Sequence, residues 1–160
     1  MQQHITVSKE IVRKLEHYCA YQERCHNEIT EKMRSYAMTP PEIDTVMVHL
    51  IEHNFLNEER FACSFARGKH RIKFWGKIRI VNELKFRSIS KHNIDKALKE
   101  FSEAEYADTF HKLADNHWET MRESNLIKKR KKFCDFLLRK GFESNLVYEK
   151  VKELEATTHG

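Results

Sequence analysis

Slid along itself by 51 residues, the sequence meets its own apolar faces and caps: Ile29 falls on Ile80, Met33 on Leu84, Met38 on Ile89, Thr39 on Ser90, Ile43 on Ile94 and Val46 on Ala97. A further shift of 53 residues places Ile80 on Phe133, Leu84 on Leu137, Ile89 on Phe142, Ile94 on Val147 and Leu98 on Val151. Self-similarity at a period of about fifty residues marks a repeated supersecondary unit, too small to bury its own apolar face without a neighbour. With only 4 Gly and 2 Pro, and 33% charged residues, the composition favours helices with solvated faces over a turn-rich β architecture. The expectation is an all-α chain of three tandem three-helix repeats forming an elongated, curved array, divided at residues 1–54, 55–103 and 104–160.

Local signals agree with that frame. Ile11, Val12, Leu15, Tyr18 and Cys19 recur at helical spacing behind Ser8, a suitable N-cap, and Ile29, Met33, Tyr36 and Ala37 form a second series. Thr39-Pro40-Pro41-Glu42 combines an N-cap, a first-turn proline and a capping-box glutamate, opening a helix with the face Ile43, Val46, Met47, Leu50 and Ile51. Asn57 is placed to cap a helix burying Phe61, Ala62, Phe65 and Ala66, and Gly76 breaks the chain before Ile80, Val81 and Leu84. Ile72, Phe74, Ile78 and Ile80 alternate around Gly76 as a hairpin would, but the register of the flanking copies predicts helix there. Tyr106, Phe110, Leu113, Ala114 and Trp118 predict a long helix, followed by the basic run Lys128 to Lys132.

Charge is distributed unevenly among the copies. Residues 1–56 carry 6 basic and 8 acidic side chains, residues 57–99 carry 12 and 4, and residues 100–160 carry 11 and 12. The net charge of +5 therefore arises in the middle, which suggests one basic face with a defined acidic partner. No acid occurs from Arg60 to Asn82, where Arg60, Arg67, Lys69, Arg71, Lys73, Lys77 and Arg79 sit among Phe61, Phe65, Phe74 and Trp75. The aromatic residues are read as core, because most continue the helical apolar face. The expected binding set is Arg60, Arg67, Arg71, Lys73, Lys77, Arg79, Arg87, Lys128, Lys129, Arg130, Lys131, Lys132, Arg139 and Lys140, with the second and third copies contributing to one strip. Lysines beside a helix start are electrostatically unfavourable, which gives the run at Lys128 a use of its own.

The start of the chain has no apolar export core and no 18 consecutive apolar residues occur, so a cytoplasmic protein without a membrane partner is expected. Cys19, Cys25, Cys63 and Cys134 lack paired spacing and read as free thiols. His49-Leu50-Ile51-Glu52-His53 fits a zinc-peptidase spacing, but no third ligand is identifiable, and Cys19 and Cys25 beside His17 and His26 match no known zinc knuckle. Nucleophile, phosphate-loop and dinucleotide signatures are absent. The reading is a non-enzyme without metal or cofactor.

Phe55-Leu56-Asn57-Glu58-Glu59-Arg60-Phe61-Ala62, followed by Arg71, Gly76, Arg79, Ile80, Glu83 and Leu84 and by the turn Ile89-Ser90, resembles the RecX family of bacterial recombinase regulators. Phe136-Leu137-Leu138-Arg139-Lys140-Gly141-Phe142 resembles a second phrase of that family. The first copy is similar more loosely, through Arg24, Glu28 and Lys32. The resemblance implies a modular helical monomer that lies in the groove of a RecA filament on single-stranded DNA and inhibits strand exchange, nucleotide hydrolysis and co-protease function. Direct nucleic-acid binding without a recombinase partner is the alternative, and either acidic protein groups or DNA phosphates could face the basic strip.

Overall fold

The computed structural model describes residues 6–158, so the part of the export reading that rests on the first five residues lies outside it. The chain runs α1 (Lys9–Tyr21), α2 (His26–Ser35), α3 (Pro40–Glu52), α4 (Glu58–Lys73), α5 (Lys77–Phe86), α6 (Lys91–Ala97), a single 3-10 turn (Leu98–Glu100), α7 (Glu103–Thr120), α8 (Leu126–Lys140) and α9 (Ser144–Thr158). Among the described residues there is no strand. The alternating segment around Gly76 instead spans two helix ends: Phe74 takes a left-handed conformation after α4, and Gly76 is the N-cap of α5. Ile72 and Ile78 are consequently exposed.

Side chains cap five helix starts. Thr39 and Glu42 form a complete capping box, and the side chains of Asn57, Ser90, Ser102 and Asn125 each accept from the N–H three residues on. Ser8 occupies the N-cap of α1 but accepts no cap hydrogen bond, so that expectation is corrected to position alone. The repeat reappears in backbone geometry. Ala37, Ser88 and Gly141, separated by the same shifts as the apolar positions, all have positive φ (55°, 60° and 98°). After each, the next residue closes a Schellman turn, Met38 N–H donating to Met33 O, Ile89 to Leu84 O and Phe142 to Leu137 O. The left-handed conformation is thus a property of the repeat, kept in two copies without glycine.

Every apolar pair named in the sequence shifts is buried in both members except those containing Ile43 or Leu98, which are half-buried. One cluster gathers Leu15, Cys19, Ile29, Met33, Met38, Val46, Leu50 and Leu56. A second runs continuously from α4 through α9 and includes Phe61, Ile80, Leu84, Phe101, Tyr106, Phe110, Phe133, Leu137, Phe142 and Val147. Helices α4–α6 and α7–α9 therefore share a core, while α1–α3 hold their own. The accessible surface is 10500 Å², against about 8,400 Å² expected for a compact monomer of this mass, as an array of stacked units requires.

Units two and three meet backbone to backbone. Gly76 N–H donates to Lys140 O (2.8 Å) and Ile78 N–H to Gly141 O (3.0 Å). Beside them the buried Tyr106 hydroxyl accepts from Lys77 N–H at 3.0 Å, which the glycine cap cannot satisfy, and donates to Glu143. Burial pushes the Tyr106 phenol far up, so it remains a donor at any physiological pH. Tyr106→Phe leaves that helix-start N–H without its partner and should lower stability by roughly 1–3 kcal/mol, read from the urea midpoint. An unchanged midpoint would show that water replaces the hydroxyl.

Burial also pushes the Cys19 and Cys25 thiols up to about 11. At pH 8 a thiol of that acidity is about one thousandth thiolate, so an aromatic disulfide reagent should modify Cys19 and Cys25 only after unfolding. Rapid modification of either in the native protein would contradict their placement.

Candidate functional site

The structure divides the expected basic residues into two sets. Arg60 binds Glu23 at 2.6 Å, Arg67 binds Glu100 at 3.0 Å, Arg71 binds Glu105 at 2.9 Å, Lys77 binds Glu103 at 2.7 Å and Arg87 binds Glu83 at 2.9 Å. Arg71 and Glu105 each hold the other in its charged form, raising the guanidinium and lowering the carboxyl. Arg60 ties α4 to the turn between α1 and α2 and also donates to the Asn54 and Phe55 carbonyls, Arg71 and Lys77 tie α4 and α5 to α7, and Arg67 and Arg87 pair within the second unit. Their positive charge is largely balanced within the chain.

The second set rests on aromatic rings and helix ends. Phe61, Phe65 and Trp75 form a row with centroid spacings of 5.7 and 6.1 Å. Lys69 Nζ lies 5.5 Å from the Phe65 centroid and 5.0 Å from that of Trp75, and the Arg79 guanidinium lies 4.1 Å over Trp75. Arg87 covers Phe65 at 4.8 Å. The aromatic row thus supports a row of cations, and half-buried Trp75 has its ring occupied from within. Phe74 departs furthest from the core reading, being 43% exposed, whereas Phe65 and Trp75 are half-buried.

At the Gly76–Gly141 contact the cation row reaches the third unit. Lys140 Nζ donates to Lys73 O, the end of α4, and Arg79 donates to Arg139 O near the end of α8. Two helix C-termini meet here and each is capped by a cation from the other unit, a favourable placement against the helix dipoles. Yet Lys73, Arg79 and Lys140 meet here, over the Arg139 carbonyl, with no carboxylate bonded to any of the three among the described residues. Partial burial lowers the Lys140 ammonium, and Arg79 and Lys73 lower it further. That repulsion is the mark of an unbalanced positive site.

The run at the start of α8 does not join this cluster. Arg130 forms a bidentate pair with Glu155, Lys131 pairs with Asp135, Lys132 pairs with Glu123 and Lys129 lies over Trp118, while the Lys128 ammonium makes no ion pair or hydrogen bond among the described residues and its backbone N–H donates to Asn125. Eleven helical residues separate Lys128 from Arg139, about 16 Å along the axis. The single strip drawn from sequence therefore resolves into a junction cluster and a distant, mostly paired run. Lys69, absent from the expected set, belongs with the cluster, and its signal was the i, i+4 spacing from Phe65.

The rings of His49 and His53 lie 4.3 Å apart and are tilted by 35°, with His53 bonded to the His49 carbonyl. Among the described residues no group of three His, Cys, Asp or Glu could hold a metal ion, and no helix is long and apolar enough to cross a membrane.

A family model described as "RecX, second three-helix domain" matches residues 57–98, the unit that carries the cation row. The regulatory protein RecX of Bacillus cytotoxicus is 22% identical over 138 residues, 86% of this chain and 51% of the relative. That of Pseudomonas fluorescens is 32% identical over 93 residues, 56% of this chain and 59% of the relative. Residues 57–98 thus match the second three-helix domain of the RecX family, and the chain is similar to RecX regulatory proteins on both sides of it. RecX from Lactobacillus salivarius has a solved structure that superposes with a TM-score of 0.75 at 22% identity, covering 92% of this chain and 96% of that one, and so shares the all-helical fold. The chain spans about half the length of the first relatives it matches. These relatives are described as regulatory proteins. The stretch that carries the sequence resemblance is thus also the stretch that the family model recognises.

Proposed function

We propose that this protein is a cytoplasmic regulator that binds the RecA filament on single-stranded DNA as a monomer and inhibits its recombinase, ATPase and co-protease activities, with no chemistry of its own. Similarity to the RecX regulatory proteins supports the class of partner. The observation that carries the reading is the meeting of Lys73, Arg79 and Lys140 at the junction of two units, beside the exposed Arg139 and unbalanced by any bonded carboxylate among the described residues. A ligand at this spot touches both units, so binding and the relative placement of the units are coupled.

Acidic protein groups suit this face better than bases do. Trp75 already carries Arg79 and Lys69, so its ring is not a free stacking platform, while Ile72, Phe74 and Ile78 are exposed around Lys73 and Lys77. Exposed aliphatic side chains beside cations match a protein surface bearing both acids and apolar groups.

The test is ATP hydrolysis by the cognate RecA on single-stranded DNA, titrated with substoichiometric amounts of this protein. Hydrolysis should fall, with no nucleotide turnover by the protein alone and no equal loss from an unrelated protein that merely coats the DNA. Unchanged hydrolysis would overturn the proposal and leave direct nucleic-acid binding as the function.

A further inference from the structure

A second cationic surface lies in the first unit, where the sequence shows a net negative charge. Helices α1 and α2 and the turn after α2 enclose an open cleft of about 470 Å³. Tyr18, Tyr21 and Tyr36 line it together with Arg13, Arg24 and Lys32. Arg24 stacks 3.6 Å over Tyr18 and donates to the Tyr18 carbonyl, which fixes that ring as the floor. Lys32 stands 5.2 Å from the Tyr18 centroid and 5.6 Å from that of Tyr36, between the two rings. Tyr21 is 76% exposed and makes no ring or hydrogen-bond contact among the described residues.

The charges in the cleft are also unevenly matched. Lys14 meets Glu10 at 3.6 Å and Arg24 meets Glu28 at 3.7 Å, whereas Arg13 and Lys32 have no carboxylate partner among the described residues. Three phenol rings, one of them free on its faces, and two unbalanced cations make the combination that holds a strand with a charged backbone and flat bases. Rings stack bases whatever their identity, and lysine and arginine follow the phosphates. In contrast to Trp75, Tyr21 leaves a platform open.

We propose that this cleft binds single-stranded nucleic acid, with Tyr21 stacking on a base and Arg13 and Lys32 meeting phosphates. The sequence hid the site because its members are spread over the 24 positions from Arg13 to Tyr36 and interleaved with four acids. It stands apart from the junction cluster, and its test needs no RecA.

The full chain is mixed with a fluorescein-labelled oligothymidylate for anisotropy and, in parallel, cross-linked to a bromodeoxyuridine-substituted strand. Cross-links should fall on peptides containing Tyr21 or Tyr36. Tyr21→Ala should weaken binding about tenfold, while Tyr21→Phe, which keeps the stacking face, should bind as the native protein does. Lys32→Gln should lower the log–log salt slope by roughly 0.7. Tyr21 is exposed, so its loss leaves the fold intact, which circular dichroism verifies. Cross-links confined to residues 57–98, undiminished binding by Tyr21→Ala, or equal competition by polyglutamate would each overturn the assignment.

Discussion

Replacing Gly141 with alanine should lower the stability of the protein by about 3 kcal/mol or more, the largest effect expected of any single methyl group added to the chain. Two costs combine at this position. Gly141 has φ +98°, where a side chain is strained, and its Cβ would lie 2.3 Å from Arg79 Cβ and 2.6 Å from Arg79 N. Strain of the first kind amounts to roughly 1–2 kcal/mol, and overpacking a tight contact to roughly 1–3 kcal/mol. Gly76 faces it with ordinary backbone angles, yet a Cβ there would lie 2.4 Å from the Gly141 carbonyl, so Gly76→Ala should be costly through contact alone. Neither clash can be relieved by a flexible side chain, because the atoms met are backbone or Cβ. Gly68 supplies the control. It lies within α4 with nothing within 4 Å of its Cβ, and Gly68→Ala should raise stability by about 0.5–1 kcal/mol through helix propensity. Urea unfolding of the three variants decides the matter. A Gly141→Ala midpoint equal to the native one would mean that the junction is not the tight contact described.

That junction illustrates what the sequence does and does not disclose. Gly76 was legible as a break and Gly141 as part of a family phrase, because isolated glycines punctuate helical patterns. Their contact was not legible, since no periodicity links residues 65 positions apart in two different copies. The same limit applies to charge. Arg67, Arg71 and Lys77 stand in an acid-free stretch, but Glu100, Glu105 and Glu103 arrive from the next linker and helix to balance them. Apolar faces are local and repeat with the helix, so Ile80, Leu84, Phe133 and Leu137 were placed correctly. Ion pairing depends on which elements stack, and that is fixed by the shared core. Phe65 and Trp75 were read as core and are half so, each keeping a face for the cations above it.

Reversing charge at Lys73 and Arg139 together should raise the amount of protein needed for half-maximal inhibition of RecA ATP hydrolysis by roughly tenfold or more. The choice follows from the pairing pattern. Both side chains are exposed and meet no carboxylate among the described residues, so Lys73→Glu and Arg139→Glu remove no internal ion pair. Arg71→Glu is a poorer probe, because it also breaks the contact with Glu105 between units two and three. Each reversal exchanges an attraction for a repulsion, and two on the adjoining ends of α4 and α8 compound when the partner presents acids there. The effect should shrink as salt rises, since exposed charges are screened over about 8–10 Å at moderate ionic strength. Lys128→Glu with Lys131→Glu places the same charge change at the far end of α8 and should alter inhibition much less. Loss of inhibition by that distal pair, with native behaviour of the Lys73 and Arg139 pair, would move the contact to the start of α8. Equal loss by both would instead point to net charge as the determinant, and a regulator held by diffuse attraction has no need of the convergence at the Gly76–Gly141 junction.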